Sequence, residues 1–462
     1  MPTHVIVLAA GQGKRMMSSL PKVAHLAAGR SLVGWVTDAV AKSNPDSVVV
    51  VVGHGSDQVG AVLDPGIKIA IQSQQLGTGH ATRVGLGALD GLSPDDTVVV
   101  LNGDMPLITS DLVASLVDRP AGTAALLVTS VFDDPSGYGR IIRENGDLVG
   151  VLEDRDCNPE QLEIPEINAG LYSFRAGDLI RALDQITSDN SQGELYITDV
   201  IGILSREDAT LESVKAAPQE VIGINSQDQL ADARKQLRTR INMNHLEAGV
   251  KIIDPERTYI DDTVSIEPGA TIYPGVHLEG NTVVGADARI GPDVFAVDSE
   301  IGSESLVWYS VLRGAVVGEN CEVGPYASLR KGTVLQDRAK LGTFVETKNS
   351  TLGEGAKANH LTYLGDATIG RGTNIGAGTV TCNYDGYEKH ATTIGEDAFI
   401  GSDTMLVAPL NIGDRAITGA GSAITKDVEA DALAVERSEQ KNIEGYARRR
   451  AERQADKMAE EK

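Results

Sequence analysis

Aliphatic residues recur every six positions through much of the second half of the chain, and this repeat restricts the possible folds more than any other feature. The series begins at Ile266 and continues, with a change of phase before Val311 and another before Ile394, through Ile272, Leu278, Val284, Ile290, Val311, Val317, Val323, Leu329, Leu335, Leu341, Ile394, Ile400, Leu406, Ile412 and Ile424. Many of these residues are followed by Gly, as in VGENCE and IGEDAF. Six-residue repeats build a parallel β-helix, in which each repeat forms one flat face and its turn. The pattern therefore predicts a β-helix with aliphatic side chains inside and Gly or Asn at the corners.

One stretch interrupts the repeat. The residues CNYDGYEKH break the six-residue pattern from Cys382 until it resumes at Ile394. About twelve residues would leave the prism here as a loop. The interruption is either a tolerated surface insertion or a functional element.

The first 225 or so residues follow a different pattern, in which short apolar runs alternate with helical stretches. The runs are nearly continuous, as in strands buried on both faces of a mostly parallel sheet: HVIVLAA, SVVVVVG, KIAIQ, DTVVVLNGD and TAALLVTSV. Segments between them, such as LVGWVTDAVAKS, have helical periodicity. This alternation predicts an α/β domain with right-handed crossovers.

Changes of pattern divide the chain into four segments. They are the α/β domain (1–225), a linker helix (226–248), the β-helix (249–440) and a charged tail (441–462). Ser226 and Gln229 are placed to form a capping box at the start of the helix. Apolar residues then follow at three- and four-residue spacing, at Leu230, Ala233, Leu237 and Ile241. We expect the tail, which carries Arg448 to Arg450, to be solvated.

Composition argues against several classes of function. The net charge of −24 disfavours general nucleic-acid binding, because neutralising phosphates requires an excess of Lys and Arg. Three cysteines in 462 residues do not make a disulfide framework and lack metal-ligand spacing, which favours reduced thiols in a cytoplasmic protein. The apolar run in MPTHVIVLAAGQGKRM is about seven residues long, so we expect a buried strand and no membrane insertion.

The first predicted strand runs into a glycine-rich turn, LAAGQGKRM. The turn is neither a Walker A loop nor a GxGxxG fingerprint, since Met16 stands where the third glycine would be. With Lys14 and Arg15 it still suits phosphate groups, which bind backbone N–H groups and cations. A turn that serves only tight packing is the alternative.

Three further features favour a nucleotide site. Lys22 follows the turn closely, and the small-residue loop QLGTGHA leaves room for a flat base. Asp104 follows a strand at the edge where open α/β sheets bind ligands. A carboxylate there can hold Mg²⁺, which needs few protein ligands when phosphates supply the others. Asp104 could instead be a turn or helix-capping residue.

Together these motifs resemble the sugar-1-phosphate nucleotidyltransferases, whose signature has the form LxxGxGxRM followed by Pro-Lys. Three stretches of the second half resemble a bifunctional family, the bacterial N-acetylglucosamine-1-phosphate uridyltransferase/glucosamine-1-phosphate acetyltransferases: RKGTVLQDRAKLGTFVETKNS, NHLTYLGDATIG and NIGAGTVTCNYDGYEKH. The resemblance extends from about Val5 to Tyr446. It implies a Rossmann-like α/β nucleotidyltransferase domain, a long linker helix and a left-handed β-helix of hexapeptide repeats.

For the first domain the resemblance implies uridylyl transfer from UTP to N-acetylglucosamine 1-phosphate. Arg15 and Lys22 match catalytic cations, and Asp104 with Asn225 matches the ligands of Mg²⁺. The residues that match contacts to UTP or UDP-N-acetylglucosamine are Leu8, Ala9, Ala10, Gly11, Lys22, Gln72, Gly77, Thr78, Asn102, Gly103, Asp104, Gly139, Glu153, Asn168 and Asn225. Of these, the uracil contacts are Gln72, Gly77 and Thr78, and the N-acetylglucosamine contacts are Gly139, Glu153 and Asn168.

For the second domain the resemblance implies acetyl transfer from acetyl-CoA to the amine of glucosamine 1-phosphate. His360 matches the general base, and histidine suits that task because an amine attacks a thioester only when unprotonated. The sugar-phosphate contacts are Arg330, Lys348, Tyr363 and Asn374. The acetyl-CoA contacts are Ala377, Asn383, Tyr384, Ser402, Ala420 and Arg437. The interrupted repeat would then be functional and would reach a neighbouring subunit, since solenoids of this class usually form trimers.

The sequence departs from the family pattern at two positions. Asn102 stands where some members have Tyr, and Tyr446 stands where Trp is familiar. Two alternatives stay open: a monofunctional sugar-1-phosphate nucleotidyltransferase with a structural β-helix, and a non-catalytic scaffold. The first leaves His360 and the interrupted repeat unexplained. The second predicts loss of the glycine loop, Lys22 or Asp104, all of which are present.

Overall fold

A computed structural model describes residues 1–11 and 13–460, without the side chains of Lys14 and Glu460. The prediction for Lys14 therefore lies outside the described residues. The chain divides into two compact units. Unit 1 comprises Met1–Asn244 and Ile260–Asp262, and unit 2 comprises His245–Tyr259 and Thr263–Lys462. In the part of the chain that is described, no helix is long and apolar enough to cross a membrane.

Unit 1 contains the predicted α/β sheet. Seven strands follow one another across it in the order Leu211–Lys215, Ala125–Val131, Glu166–Arg175, Thr97–Asn102, Thr3–Ala9, Ser47–Val52 and Lys68–Ile71. Glu166–Arg175 runs antiparallel to its two neighbours, and the other pairs are parallel. A hairpin of Arg140–Glu144 and Asp147–Leu152 extends from Glu166–Arg175. All five predicted apolar runs form strands of this sheet.

Helices cover both faces of the sheet, so successive residues of the central strand enter different cores. Val5 and Val7 lie in one hydrophobic cluster and Ile6 in the other. The α-helices of this region are Leu32–Ala41, Ser56–Gly60, Thr78–Leu86, Ser110–Val117, Pro159–Leu162, Ala176–Leu183 and Asp199–Arg206. Short 3-10 helices of unit 1 lie at Lys14–Met16, Lys22–Ala24, Asp154–Asp156 and Pro218–Val221. A further 3-10 helix, Pro255–Arg257, belongs to unit 2. Burial on both sides explains why the strands read as continuous apolar runs.

The long helix predicted after residue 225 spans Gln227–Glu247, and its predicted apolar residues are buried. The predicted capping box differs in one detail. Gln229 Oε1 accepts from the backbone N–H of Asn225 at 2.7 Å, not from that of Ser226. The Ser226 carbonyl accepts the first helical hydrogen bond, from Leu230. The Gln229 side chain therefore reaches one residue past the N-cap and fixes Asn225.

Unit 2 contains the β-helix, a left-handed prism with three parallel sheets as its faces. Face 1 consists of Lys251–Ile252, Thr271–Ile272, Arg289–Ile290, Leu306–Val307, Glu322–Val323, Lys340–Thr343, Lys357–His360, Asn374–Ile375, Phe399–Ile400, Ile417–Thr418 and Leu433–Ala434. Face 2 includes His277–Glu279, Phe295–Val297, Val311–Arg313, Ser328–Leu329, Glu346–Lys348, Tyr363–Gly365, Val380–Cys382, Met405–Val407 and Ala423–Ile424. Face 3 consists of Ser265–Ile266, Val283–Val284, Glu300–Ile301, Val316–Val317, Val334–Leu335, Thr351–Leu352, Ala367–Ile369, Thr392–Ile394 and Leu410–Ile412. Short strands also lie at Leu26–Ala27, Arg30–Ser31 and Tyr259–Ile260.

The inward-pointing residues agree with the six-residue series except at its first change of phase. Leu312 is fully buried, whereas Val311, which the series predicts to point inward, is only half-buried. The register explains the change, because Ala296 pairs with Leu312 and Ile301 with Val317, each 16 positions on. Each of these two coils therefore contains two five-residue steps, and three such steps occur between Ala296 and Val317 in all. The prediction for Val311 was wrong by one residue.

The insertion is also shorter than the sequence suggested. Asn374 pairs with Phe399, 25 positions later, whereas neighbouring face 1 pairs are 17 and 18 positions apart. About seven or eight residues therefore leave the prism, instead of about twelve. The remaining residues of the irregular stretch continue the flanking strands Val380–Cys382 and Thr392–Ile394. Beyond the prism, the tail forms an exposed helix, Tyr446–Glu460.

Candidate active sites

Two adjoining pockets open at the carboxyl ends of the central strands of unit 1. The first, of about 260 Å³, is lined by the predicted nucleotide contacts Leu8, Ala9, Ala10, Gly11, Lys22, Gln72, Gly77, Thr78, Asn102 and Asp104. The second, of about 320 Å³, is lined by Arg15, Gly139, Glu153, Asn168 and Asn225 and again by Leu8, Thr78, Asn102 and Asp104. Gly103 lines neither pocket, and its N–H donates to the Leu8 carbonyl at 2.8 Å. The structure thus brings together every predicted contact of this domain except Gly103.

Lys22, Asp104 and Asn225 meet at the boundary between the two pockets. The Lys22 ammonium donates to Asp104 Oδ2 and, at 2.9 Å, to Asn225 Oδ1. The orientation of the Asn225 amide is set from the other side, because its Nδ2 donates to the Gly223 carbonyl at 3.2 Å. Two oxygens from segments far apart in sequence therefore converge on one cation. An oxygen donor set of this kind suits Mg²⁺ when phosphate oxygens supply further ligands.

The predicted uracil contacts lie at one end of the first pocket, called its base end here. This end is formed by the turn before the helix Thr78–Leu86. Gly77 has φ 107°, and a Cβ there would lie 2.6 Å from the Leu195 carbonyl oxygen. Glycine is therefore required at this position for both backbone conformation and space. Gln72 is 4% exposed and lies in the pocket wall, where its Nε2 donates to the Gly77 carbonyl at 3.2 Å.

Sequence reasoning missed the segment GELYITD, which joins the two pockets. The Leu195 carbonyl accepts from Gly79 N–H at 2.7 Å, and Ile197 N–H donates to Thr78 Oγ1 at 3.1 Å. Glu194 lines the first pocket and Thr198 the second. The segment carries no recognisable motif or repeat that would mark it, and it reaches the site through these long-range hydrogen bonds.

Glu153 lines the second pocket, where its surroundings disfavour the charged form of the carboxyl group. Burial raises its pKa, and repulsion from Asp156, Asp199 and Glu194 acts in the same direction. The Thr198 hydroxyl opposes this shift by donating to Glu153 Oε1 at 2.9 Å. Among the described residues this half-buried carboxylate has a hydrogen-bond partner only at Oε1, which leaves its second oxygen able to accept from a hydroxyl group.

Arg140 connects two strands that carry sugar-side contacts. Its side chain is 1% exposed, and its guanidinium donates to the Tyr138 carbonyl and, at 3.2 and 3.3 Å, to the Leu162 carbonyl. It also pairs with Asp154 at 3.2 Å. Since Gly139 and Glu153 are the neighbours of Arg140 and Asp154 in sequence, this ion pair fixes the two pocket walls relative to one another.

In unit 2, predicted acetyl-CoA contacts align along one edge of the prism, the corner that follows face 1. Backbone hydrogen bonds join successive coils there, from Gly378 N–H to the His360 carbonyl and from Asp403 N–H to the Ala377 carbonyl. The ladder continues from Gly421 N–H to the Ser402 carbonyl, and Arg437 Nη1 donates to the Ala420 carbonyl at 3.0 Å. One edge thus brings together His360, Ala377, Ser402, Ala420 and Arg437. The His360 imidazole is exposed and makes no hydrogen bond within the described part of the chain.

The predicted phosphate-binding cations lie at the next corner, after face 2. The ammonium of Lys389 in the inserted loop lowers the pKa of Lys348, and the charge of Arg330 adds to that effect. The loop is held there by Asn383, whose Nδ2 donates to Asp366 at 2.6 Å. Lys389 was missed by sequence reasoning, although its position in the broken repeat is the signal that could have identified it. Three neighbouring cations of this kind are suited to hold an anion such as a phosphate.

The inserted loop has its own hydrogen bonds. Tyr384 and Lys389 form an antiparallel bridge. Asp385 accepts from His390 Nε2 and from the N–H groups of Tyr387 and Glu388 at 2.7–2.8 Å, and these donors lower its pKa. The Tyr384 ring remains 61% exposed. The loop therefore presents its aromatic and basic side chains outward.

A single copy of the chain does not assemble all the predicted acetyl-site residues. Lys348 pairs with Gly365 at the end of a face 2 strand, whereas His360 ends the preceding face 1 strand, five residues before Gly365. Asn374 lies on face 1, between Lys357 and Phe399. Tyr363 starts the strand between the two corners. The base and the cations thus occupy different corners of one prism.

Two protein families match parts of the chain and define the class of enzyme to which it belongs. Residues 5–193 match the MobA-like NTP transferase domain, and residues 391–426 match the hexapeptide repeat of succinyl-transferase. The chain is therefore a nucleotidyltransferase joined to a hexapeptide-repeat transferase.

Full-length relatives define the family. The "Bifunctional protein GlmU" of Streptomyces avermitilis is 46% identical over 99% of this chain and 97% of its own length. The proteins of the same name from Caldanaerobacter subterraneus and Corynebacterium glutamicum are 45% and 44% identical over 96% of this chain, covering 97% and 94% of their own lengths. The chain belongs to the bifunctional GlmU family, with a uridyltransferase and an acetyltransferase half. These matches favour a bifunctional enzyme over the monofunctional alternative.

Proposed function

We propose that this enzyme makes UDP-N-acetylglucosamine in two steps, with the residues predicted from the sequence in the roles given there. Unit 2 acetylates the amine of glucosamine 1-phosphate with acetyl-CoA, and unit 1 then transfers uridylyl from UTP to the product. The observation that carries the first site is the convergence of Asp104 and Asn225 on one cation. The observation that carries the second is the alignment of His360 with Ser402 and Arg437 along one edge.

In uridylyl transfer, a phosphate oxygen of N-acetylglucosamine 1-phosphate attacks the α-phosphorus of UTP. A new P–O bond forms, the bond to the β-phosphate breaks, and pyrophosphate leaves. Arg15 and Lys22 neutralise the charge that develops on the phosphates. Glu153 and Asn168 orient the sugar, while Gln72 and the Gly77 backbone hold the uracil.

The metal of this reaction is proposed to be Mg²⁺, held by Asp104 and Asn225. Bound Mg²⁺ would orient the triphosphate and reduce its negative charge. In this structure Asp104 and Asn225 accept hydrogen bonds from the Lys22 ammonium. With Mg²⁺ in its place, Lys22 would be free to turn toward a phosphate. Gln229 and Gly223 keep the Asn225 oxygen in place for this exchange.

In acetyl transfer, His360 takes a proton from the ammonium of glucosamine 1-phosphate or from the attacking amine. The amine nitrogen forms a bond to the thioester carbon, the carbon–sulfur bond breaks, and CoA leaves as the thiol. The Ser402 hydroxyl or a backbone N–H stabilises the oxyanion. Arg330, Lys348 and Lys389 hold the phosphate and thereby orient the amine.

We propose further that the enzyme is a homotrimer in the cytoplasm. A second copy could bring its cation corner to the His360 corner and so complete the acetyl site. A row of exposed aromatic rings continues the His360 corner along the prism, with Tyr309–Tyr326 tilted at a centroid distance of 5.7 Å and Tyr326–Phe344 stacked at 5.5 Å. Tyr326 and Phe344 are 56% and 59% exposed, and packing against another copy would bury this apolar surface. Three free cysteines are consistent with a reducing compartment.

A product assay by mass spectrometry tests both activities in the intact chain. The enzyme is incubated with glucosamine 1-phosphate, acetyl-CoA, UTP and Mg²⁺, and we expect UDP-N-acetylglucosamine together with free CoA. His360→Ala should make that product only from N-acetylglucosamine 1-phosphate. If the wild-type enzyme also requires the acetylated sugar, the proposed role of unit 2 is wrong.

A further inference from the structure

The amide of Gln72 is held in one orientation by two acceptors behind the pocket wall. Its Nε2 donates to the Gly77 carbonyl at 3.2 Å and lies 3.0 Å from His80 Nδ1. A carbonyl can only accept, so the atom facing Gly77 is the amide nitrogen and not the oxygen. Both N–H bonds of the amide thus have acceptors within the protein and are not needed by a ligand.

The same two contacts determine which ring nitrogen of His80 carries the proton. An amide nitrogen only donates, so Nδ1 of His80 must accept, which places the imidazole proton on Nε2. His80 itself does not line either pocket, whereas Gln72 does. The contact with Gln72 therefore gives His80 an indirect route to a bound nucleotide.

The remaining atom of the amide, Gln72 Oε1, has no hydrogen-bond partner among the described residues, although the residue is only 4% exposed. It is an acceptor presented to the base end of the pocket. Uracil carries an N–H at position 3, whereas cytosine carries a lone pair there. An acceptor in this place binds the first and repels the second.

We propose that His80 is the positioning residue for pyrimidine selection: it holds the Gln72 amide with its oxygen toward the nucleobase, so that UTP is accepted and CTP rejected. This inference rests on the proposed uridylyl transfer, with Gln72 at the uracil. Without the His80 acceptor, the Gly77 carbonyl at 3.2 Å alone opposes rotation of the amide, so the orientation that presents Nε2 to the base becomes more populated. That orientation opposes the uracil N3–H and suits the cytosine N3.

Two substitutions separate the acceptor from the bulk of the side chain. His80→Asn places a side-chain oxygen where Nδ1 now lies, and His80→Leu fills the space without an acceptor. Pyrophosphate release is measured with N-acetylglucosamine 1-phosphate and either UTP or CTP, using the full-length enzyme. For His80→Leu we expect the UTP/CTP ratio of kcat/KM to fall about tenfold, as for loss of one oriented hydrogen bond. For His80→Asn we expect the ratio to stay within about threefold of wild type, with an unchanged KM for the sugar phosphate in both variants.

The possible results separate a failure of the role proposed for His80 from a failure of the proposed uridylyl transfer. Equal losses with UTP and CTP in His80→Leu would mean that His80 only stabilises the fold, and the inference would be wrong. An equal fall of the ratio in both variants would mean that shape, not the acceptor, matters, which also overturns it. Absence of pyrophosphate release by the wild-type enzyme would instead refute the proposed uridylyl transfer itself. Thermal unfolding of each variant shows whether unit 1 is intact.

Discussion

Replacing Glu153 by glutamine should stabilise unit 1 while weakening the binding of the sugar phosphate. The carboxylate is partly enclosed, and burial together with Asp156, Asp199 and Glu194 raises its pKa. Gln keeps the shape and can still accept from the Thr198 hydroxyl, but it carries no charge. The substitution thus removes an unfavourable charge without opening a cavity.

The expected gain in the free energy of unfolding is on the order of 1 kcal/mol, comparable to relieving one poorly solvated polar group. For a unit of this size, such a gain raises the melting temperature by about 2–4 °C. The sign depends on pH in a defined way. Because the pKa is raised in the folded state, the carboxyl disfavours folding when it is ionised, and protonation relieves this cost. The advantage of Glu153→Gln should therefore be largest near neutral pH and shrink as pH falls through the raised pKa.

Activity should move in the opposite direction. A charged acceptor forms a stronger hydrogen bond to a sugar hydroxyl than a neutral amide does, by about 1–1.5 kcal/mol. We expect kcat/KM for N-acetylglucosamine 1-phosphate to fall about tenfold, with acetyl transfer unchanged. Calorimetry across pH 5–8 and a pyrophosphate-release assay measure the two effects, with the exposed Glu163→Gln as the matched control. A lower melting temperature for Glu153→Gln at neutral pH would refute the electrostatic reasoning.

The remaining predictions concern the other parts of the two sites. Asp104→Asn should reduce uridylyl transfer at least about 100-fold and leave N-acetylglucosamine 1-phosphate to accumulate, which mass spectrometry detects; undiminished product would exclude Asp104 as a metal ligand. Lys389→Met should raise the KM for glucosamine 1-phosphate about tenfold, whereas the exposed Lys426→Met should not; equal effects would mean that the cation cluster is not the phosphate site. Phe344→Ser should shift the mass found by light scattering toward the monomer and lower acetyl transfer selectively, with the exposed Ile180→Ser as control. A Phe344→Ser protein of unchanged mass would contradict the proposed interface.

The sequence alone predicts the architecture well because both halves have regular patterns. Strands buried on both faces read as apolar runs, and a prism with one inward residue per face reads as a repeat of six. Where the prism is irregular, the pattern fails. The five-residue steps near Leu312 move the inward position by one, because nothing in the local composition marks a shorter turn.

The sites were predictable only in part. Asp104 and the glycine-rich turn follow strands and can be located from general rules, but Asn225 was identified only through the family resemblance. The segment from Glu194 to Thr198 and the buried Arg140 were missed altogether. Their roles depend on hydrogen bonds between distant parts of the chain, which no spacing along the sequence encodes.

The alignment of His360, Ala377, Ser402, Ala420 and Arg437 along one edge makes the prism a molecular ruler. Successive coils of a parallel β-helix are about 4.8 Å apart, so the four intervals from His360 to Arg437 measure roughly 19 Å. Distance along this edge changes by whole coils, because backbone hydrogen bonds tie the corner positions from His360 to Gly421 coil by coil and the Arg437 side chain adds the last interval. Removing one coil would shorten the ruler by about 4.8 Å and leave each remaining contact intact. If acetyl-CoA lies along this edge as proposed, the length of acyl carrier that the enzyme accepts is counted in whole coils.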